Sequence, residues 1–232
     1  MRTIAIDTSL AAGSVAASAA GRVAEVALPE AGEHARRIAT AAAEVAARLG
    51  WTVGDAELVG VVRGPGSFTG LRVGVVAAKA IAWAAEADLV GLSGFEVLAL
   101  RAARLTGATH APLHLAYDAG RGEVFVAEAA PAAEAPSGHA LSTPRLVPLA
   151  AWVAGLPQGA HVSGPGLAIA EAALAARPDL VVAPREAWLP TAADAADLAT
   201  RLHAAGWRDA PAALVPDYLR PTYADESAAG PA

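Results

Sequence analysis

A glycine-rich turn between a predicted strand and a predicted helix constrains the fold of this chain more than any other feature. An apolar run ends at Arg63, the turn Gly64-Pro65-Gly66 follows, and a helix is predicted to begin at Phe68. Glycine adopts backbone angles that other residues avoid, and proline stiffens the turn. Ser67 stands where a serine can cap the first amide groups of a helix. The pattern predicts a buried strand joined to a helix by a tight turn.

The predicted helix carries a row of small residues. Gly70, Gly74, Ala78 and Ala82 recur at every fourth position and therefore share one face. Each interior glycine destabilises a helix by about 1 kcal/mol relative to alanine. Close packing against a neighbour would offset this loss. We expect the row to pack closely on another helix, either the one predicted at residues 33–49 or a helix of a partner protein.

The composition excludes several classes of function. The 232 residues suffice for one large domain or two small ones, and their net charge of −6 argues against a free-standing nucleic-acid binder. There is no cysteine, which excludes disulfides, thiolate catalysis and cysteine metal sites. Asp7 interrupts the first apolar run too early for a signal peptide. The longest apolar window, residues 73–92, contains three charged residues and is not a credible membrane span. We expect a soluble cytoplasmic protein.

The two halves of the chain begin with the same pattern. In the first half a strand ends at Asp7, and helices and strands then follow in the overall order βββαβαβα. In the second half a strand ends at Asp118, followed by a glycine turn at residues 120–122 and a return strand. Short links predict antiparallel strands, and helical links predict parallel ones. The sequence predicts a duplicated α/β unit, divided into 1–107 and 108–232, with the last segment packing back on the first subdomain.

Four segments resemble the signature of the TsaB family, also called YeaZ. They are VVRGPGSFTGLRVG at 61–74, IAIDTS at 4–9, YDAGRGEVF at 117–125 and PDYLR at 216–220, which together span nearly the whole chain. The glycine-rich run is specific to the family, and the other three are weak alone. The chain departs from the family pattern at Ala35 and Gly120, where the family often has a serine and an arginine.

The resemblance implies both a fold and a role. The fold is two tandem ribonuclease-H-like units, arranged as in actin, Hsp70 and the sugar kinases. The role is that of a non-catalytic partner subunit, required for threonylcarbamoyl transfer to adenosine 37 of tRNAs that read ANN codons. The implied partners are a TsaD-like catalytic subunit, which binds the metal, and a TsaE-like ATPase, while tRNA is reached only indirectly and no membrane is involved. The chain alone is expected to form a homodimer.

The resemblance and the row of small residues together place a partner interface on the two helices of the first subdomain. No catalytic residue, metal or intrinsic cofactor is expected in this chain, although ATP or ADP is considered at the interface with partners. The predicted interface residues are Arg36, Ile38, Val45, Arg63, Phe68, Gly70, Leu71, Gly74 and Ala78. Weak phosphate contacts are considered at Asp7, Thr8, Gly64, Gly66 and Ser67.

The alternative function is a stand-alone actin-like ATP-dependent kinase or ATPase. In that class, aspartates equivalent to Asp7 and Asp118 face each other across a cleft and organise Mg²⁺ and phosphates. Only Asp118 is followed by a glycine-rich turn here, and the chain has no P-loop lysine motif. Both aspartates are also residues that bond backbone amides two positions later and so cap turns. His110 and His114 would lie about 13 Å apart on a strand, too far to share a metal.

Overall fold

The computed structural model describes residues 1–28, 34–108 and 110–220. The predicted helix start at Glu33 lies outside these ranges. The strands are β1 Thr3–Asp7, β2 Ser14–Ala19, β3 Arg22–Ala27, β4 Leu58–Gly64, β5 Asp88–Ser93, β6 Leu113–Gly120, β7 Glu123–Pro131, β8 His139–Leu141, β9 Arg145–Pro148, β10 His161–Ser163 and β11 Val181–Val182. The helices are α1 His34–Arg48, α2 Phe68–Ala85, α3 Gly94–Thr106, α4 Leu149–Gly155, α5 Leu167–Ala175 and α6 Ala192–Ala204.

The first half forms a five-stranded sheet in the order β3-β2-β1-β4-β5. The strand β1 runs antiparallel to β2 and parallel to β4, and β5 extends the parallel part. A two-residue turn at Ala20 and Gly21, both with positive φ, reverses β2 into β3. The helices α1 and α2 provide the links into the parallel strands. The predicted meander followed by parallel strands is therefore confirmed.

The second half repeats this plan in a six-stranded sheet. The strand β6 pairs antiparallel with β7 and parallel with β10, and β11 lies beyond β10. The predicted α/β class and the duplicated unit are confirmed. The short strands β8 and β9, which both pair with β7, were not predicted. Residues 130–140 read as a loop because they are rich in Ala, Pro and Glu, yet β7 reaches Pro131 and β8 begins at His139.

The last helix, α6, returns to the first sheet. It packs on β1, β2 and β4, and its Ala195, Ala199 and Leu202 share a core cluster with residues of that sheet. A Cβ atom on Gly60 of β4 would lie only 2.7 Å from the Cβ atom of Ala199, so a glycine permits this close approach. The first half is therefore completed by a helix from the end of the chain.

The row of small residues on α2 packs differently from the prediction. A Cβ atom on Gly70 would lie 2.1 Å from the carbonyl oxygen of Thr8, and one on Gly74 would lie 2.3 Å from Thr8 Oγ1. Only the later members of the row, Ala78 and Ala82, share a core cluster with residues of α1. The prediction that the row packs on a helix is wrong for its two glycines, because they receive the segment that follows β1.

Candidate functional site

The side of α2 opposite the glycines is exposed and largely apolar. Phe68, Arg72, Val76 and Ala80 follow one another at intervals of four residues, and Trp83 continues the line one turn later. The exposed fractions are 45% for Phe68, 66% for Val76 and 83% for Trp83. We call these five residues the α2 stripe. Aligned exposed apolar side chains of this size are typical of a binding surface.

The predicted interface residues divide into buried and exposed sets. Six of them are buried within this chain, because they belong to the face of each helix that packs on the first sheet and on the neighbouring helix. Arg63 is half-buried, and only Arg36 and Phe68 are exposed. The buried residues are Ile38, Val45, Gly70, Leu71, Gly74 and Ala78. The assignment of these six as surface contacts is therefore corrected, because their side chains are covered within this chain.

Arg72 packs over the Phe68 ring and is hydrogen-bonded to Tyr218 at the N-terminal end of the stripe. Its guanidinium carbon lies 3.8 Å from the centroid of the Phe68 ring, and its Nε donates a hydrogen bond of 2.7 Å to Tyr218 Oη. The rings of Phe68 and Tyr218 stack with their centroids 4.8 Å apart. Such cation–π and stacking contacts restrict the rotamers of all three side chains. The cluster is thus ordered before any partner binds.

Tyr218 reaches this position through the segment that follows α6. The amide of Asp209 donates to the carbonyl of Leu89 at 2.8 Å, and that of Asp217 donates to the carbonyl of Arg63 at 2.7 Å. Arg220 then forms an ion pair of 2.6 Å with Glu123 of the second sheet. Residues 209–220 therefore cross the first sheet beside β5 and end at the second sheet.

Asp7 and Asp118 form the same local structure in the two halves. Asp7 Oδ1 accepts hydrogen bonds from the Ser9 amide at 2.9 Å and from Ser9 Oγ at 2.6 Å. Asp118 Oδ1 accepts one from the Gly120 amide at 2.7 Å. Burial raises the pKa of the Asp7 carboxyl above its usual value, although the Ser9 hydrogen bonds oppose the shift. The interpretation of both residues as turn caps is confirmed.

The residues considered for phosphate contacts are engaged within the chain. The Thr8 hydroxyl donates to the carbonyl of Gly70 at 2.7 Å, and the Ser67 amide donates to the carbonyl of Ser9 at 2.7 Å. Ser67 Oγ accepts a long hydrogen bond of 3.4 Å from the Gly70 amide, as its predicted capping role requires. Gly66 is in close contact with Ser9, since a Cβ atom there would lie 2.3 Å from the Ser9 carbonyl oxygen.

A cavity of about 520 Å³ lies between the two halves, next to this turn. Its walls include Ser67 and Phe68 from the first half, Asp118 and Phe125 from the second, and Tyr218 from the C-terminal segment.

As for metals, the described part of the chain contains no group of three or more His, Asp and Glu side chains that could hold an ion. His114 lies on β6 with its Nδ1 3.9 Å from Glu128 Oε2.

Comparison with known proteins assigns the chain to a family. The family model for TsaD, tRNA N6-adenosine threonylcarbamoyltransferase, matches residues 21–150, which is more than half of the chain. The chain belongs to this family.

Its relatives within the family carry the TsaB name. It is 39% identical over 130 residues to the tRNA threonylcarbamoyladenosine biosynthesis protein TsaB of Escherichia coli, a match that covers 55% of this chain and 54% of that protein. TsaB of Bacillus subtilis is 37% identical over 71 residues, covering 31% and 29% of the two chains. The chain therefore matches about half the length of the first of these relatives and less of the second. The predicted TsaB/YeaZ membership is confirmed.

Solved YeaZ structures share the whole fold. YeaZ from Pseudomonas aeruginosa aligns with a TM-score of 0.77 and 25% identity over 94% of this chain and 100% of that one. A second Pseudomonas aeruginosa structure, described as similar to peptidase YEAZ, gives a TM-score of 0.76 over 94% and 99%. The actin/Hsp70/sugar-kinase-like α/β fold is confirmed by this likeness.

In this TsaB/YeaZ chain, α2 is also the one helix within the described ranges that is long and apolar enough to cross a membrane. However, α2 carries Arg72 and Lys79 and packs its two glycines against Thr8 of its own sheet. Charged side chains are costly within a bilayer. The helix is better explained as a core helix of the first half with one exposed side.

Sequence reasoning missed the most exposed members of the stripe and their contact from the C-terminal segment. Val76 and Trp83 stand among apolar neighbours on a helix that is apolar on most sides, so periodicity does not distinguish its outer face. The i,i+4 spacing of Phe68, Arg72 and Val76 was present in the sequence and could have indicated a shared face. Tyr218 lies in a segment quoted only for its family resemblance, and its partner Arg72 is 146 residues away.

Proposed function

We propose that this chain is a non-catalytic partner subunit in the formation of threonylcarbamoyladenosine on tRNA, and that it acts by binding a TsaD-like catalytic subunit in the cytoplasm. The α2 stripe is the observation that carries this proposal. It is an exposed apolar surface on one rigid helix, and it contains the tryptophan and arginine side chains that dominate the affinity of protein interfaces. Within the described ranges, Val76 and Trp83 remain exposed to solvent, and a partner protein would cover them.

The hydrogen bonds and burial of Asp7 and Asp118 support a non-catalytic role. A carboxylate that organises Mg²⁺ and phosphates needs free oxygen atoms directed into a cleft. Asp7 is buried and held by Ser9, so of the two aspartates only Asp118, with one oxygen taken by the Gly120 amide, lines the cavity between the halves. We propose that the catalytic metal and the transfer reaction belong to the partner subunit.

The remaining partners follow from the same proposal. A TsaE-like ATPase joins the complex, and tRNA is reached through the catalytic subunit. The net charge of −6 supports indirect contact with tRNA, because a direct binder usually presents a basic face. ATP or ADP would bind where the partners meet, with the interhalf cavity beside Ser67 as the part of the site that this chain supplies.

The test compares two charge substitutions at exposed apolar positions. Val76→Glu places a carboxylate in the centre of the α2 stripe, whereas Ile169→Glu places one on α5, where the side chain is 44% exposed. Each purified variant is mixed with the TsaD-like subunit of the same organism, and complex formation is measured by size-exclusion chromatography with light scattering. We expect Val76→Glu to weaken the complex by at least about tenfold and Ile169→Glu to leave it unchanged.

Activity provides the second measurement. Reconstituted tRNA modification should require this chain and should fall in parallel with complex formation in Val76→Glu. ATP hydrolysis or tRNA modification by the purified chain alone would contradict the proposal and favour the kinase-like alternative. Failure of the wild-type chain to bind the TsaD-like subunit would also contradict it.

A further inference from the structure

We infer that Arg72 is the charged anchor of the α2 stripe, and that it binds a carboxylate on an otherwise apolar face of the partner protein. The inference rests on the proposed partner function and adds the chemistry of recognition. Arg72 is exposed, and no carboxylate among the described residues pairs with it. Its Nε is taken by Tyr218, which leaves the two terminal nitrogens as donors. Those two nitrogens can bind both oxygens of one carboxylate.

Tyr218 acts as a positioning residue for this anchor. An exposed arginine side chain loses rotamer freedom when a partner immobilises it, and this loss reduces affinity. Here the Phe68 ring at 3.8 Å and the Tyr218 hydroxyl at 2.7 Å restrict the guanidinium beforehand. Preorganisation of this kind increases affinity without adding a contact to the partner. The C-terminal segment therefore restricts the conformation of the α2 stripe through the contact between Tyr218 and Arg72.

The charges near the start of α1 also indicate an acidic partner. Ala35 of α1 and Thr69 of α2 line the same small cavity, so the N-terminal ends of these helices are adjacent. Arg36 and Arg37 lie in the first turn of α1, where the helix dipole disfavours cations. Neither forms an ion pair with any residue that the structure describes, whereas Arg48 at the other end of α1 pairs with Glu44.

Arg36, Arg37 and Arg72 form no ion pair with any carboxylate in the described ranges, and on a chain of net charge −6 such cations favour a partner with negative groups over a second copy of this chain. In a symmetric dimer the same patch meets itself, so Arg72 and its neighbours would approach like charges. An acidic partner would neutralise them. The two assemblies should therefore respond oppositely to salt, since salt screens attraction in one case and repulsion in the other.

The experiment measures the affinity of the full chain for the TsaD-like subunit at several salt concentrations. Four variants are compared: Arg72→Gln, Arg72→Lys, Tyr218→Phe and the control Arg185→Gln. Arg185 is a matched control because it also lies over an aromatic ring, that of Trp188 at 4.9 Å, but it is already paired with Glu171. Thermal melting verifies that every variant is folded.

We expect Arg72→Gln to weaken binding by about tenfold or more and to reduce its salt dependence. Arg72→Lys keeps the charge but loses the planar fork, so an intermediate loss of about fivefold is expected. Tyr218→Phe keeps the ring and removes the hydrogen bond, and a loss of about threefold with unchanged salt dependence is expected. Arg185→Gln should change the affinity less than about twofold.

Different failures have different meanings. If the wild-type chain does not bind the subunit, the proposed function fails and the anchor with it. If it binds and Arg72→Gln binds equally well with the same salt dependence, the anchor alone is overturned. The anchor is also overturned if Arg72→Gln weakens binding of isolated tRNA but not of the subunit, because Arg72 would then bind RNA and not a carboxylate of the subunit.

Discussion

The side chain of Thr8 occupies the space that a side chain at Gly74 would need. A Cβ atom on Gly74 would lie 2.3 Å from Thr8 Oγ1, while the Thr8 hydroxyl donates a hydrogen bond to the carbonyl of Gly70. Real Cβ contacts are not this short, so a substitution at Gly74 must either displace the Thr8 hydroxyl from its hydrogen bond to Gly70 or move α2. Gly70 and Gly74 therefore allow α2 to lie close to the segment that follows β1 of its own sheet.

This contact decides between two outcomes that the small-residue row leaves open for Gly74→Leu. A row on a partner face predicts a folded monomer that loses its partner, and a row in the internal core predicts an unfolded chain. Because Gly74 packs on Thr8, the structure predicts loss of stability. We expect even Gly74→Ala to lower the free energy of unfolding by about 1–3 kcal/mol, despite the better helix propensity of alanine. Ala80→Leu, on the exposed side of the same helix, is the control and should change it by less than about 0.5 kcal/mol. Urea denaturation measures both, and an unchanged midpoint for Gly74→Ala would contradict the prediction.

The buried carboxyl of Asp7 predicts a pH dependence of stability. Burial raises its pKa in the folded state above the value of 3.8 expected for the unfolded chain. The folded state therefore binds the proton more tightly, and its contribution to stability is fully present below the unfolded pKa and is lost as pH rises through the folded pKa. Asp7→Asn retains an oxygen acceptor for Ser9 but cannot titrate. It should therefore remove this loss of stability with rising pH.

The measurement is the free energy of unfolding from pH 3.5 to pH 8 for the wild type, Asp7→Asn and Asp118→Asn, a range set by the shift of the buried group. Asp118 is exposed and serves as the control in the equivalent turn. Both substitutions should leave ATP hydrolysis unchanged at background. Parallel pH curves for the wild type and Asp7→Asn would refute the assignment of this dependence to Asp7.

Asp194 of α6 forms ion pairs with two arginines of α3. This side chain is fully buried and lies 2.8 Å from Arg101 and 2.5 Å from Arg104, both on α3. Asp194→Asn leaves Arg101, whose side chain is only 18% exposed, without its counter-charge. We expect it to lower the free energy of unfolding by about 3–5 kcal/mol. Asp197→Asn removes an exposed pair with Arg201 on the same helix and should cost less than about 1 kcal/mol. Equal losses in the two variants would contradict the role of burial.

In the absence of partners, the α2 stripe predicts weak self-association. We expect a two-fold homodimer that dissociates on dilution and that strengthens as salt screens its like charges. Trp83→Ala removes the most exposed side chain of the stripe and should shift the equilibrium towards monomer by about tenfold. Trp207→Ala, 63% exposed and outside the stripe, should not. Analytical ultracentrifugation over a dilution series measures this, and a strict monomer at high concentration would refute it.

The local features of this fold could be predicted from the sequence alone. The turn at Gly64-Pro65-Gly66, the cap at Ser67 and the repeated aspartate turns depend on residues close together in the chain. Their backbone preferences and short hydrogen bonds act within a few positions, so residue type and spacing suffice. The antiparallel pairs β1–β2 and β6–β7 followed from the same local links, whereas the pairing of β8 and β9 with β7 did not.

Only the tertiary structure decided which sides of the helices are covered. A row of small residues indicates a close neighbour but does not say whether that neighbour is a helix or the end of a strand, and Thr8 resolves this for Gly70 and Gly74. The alanine-rich helices are apolar on most sides, so their patterns do not separate inside from outside. The arrival of α6 on the first sheet and of Tyr218 beside Arg72 depends on contacts between residues far apart in the chain. Such contacts form only when the whole chain closes, and they determine which surface remains for a partner.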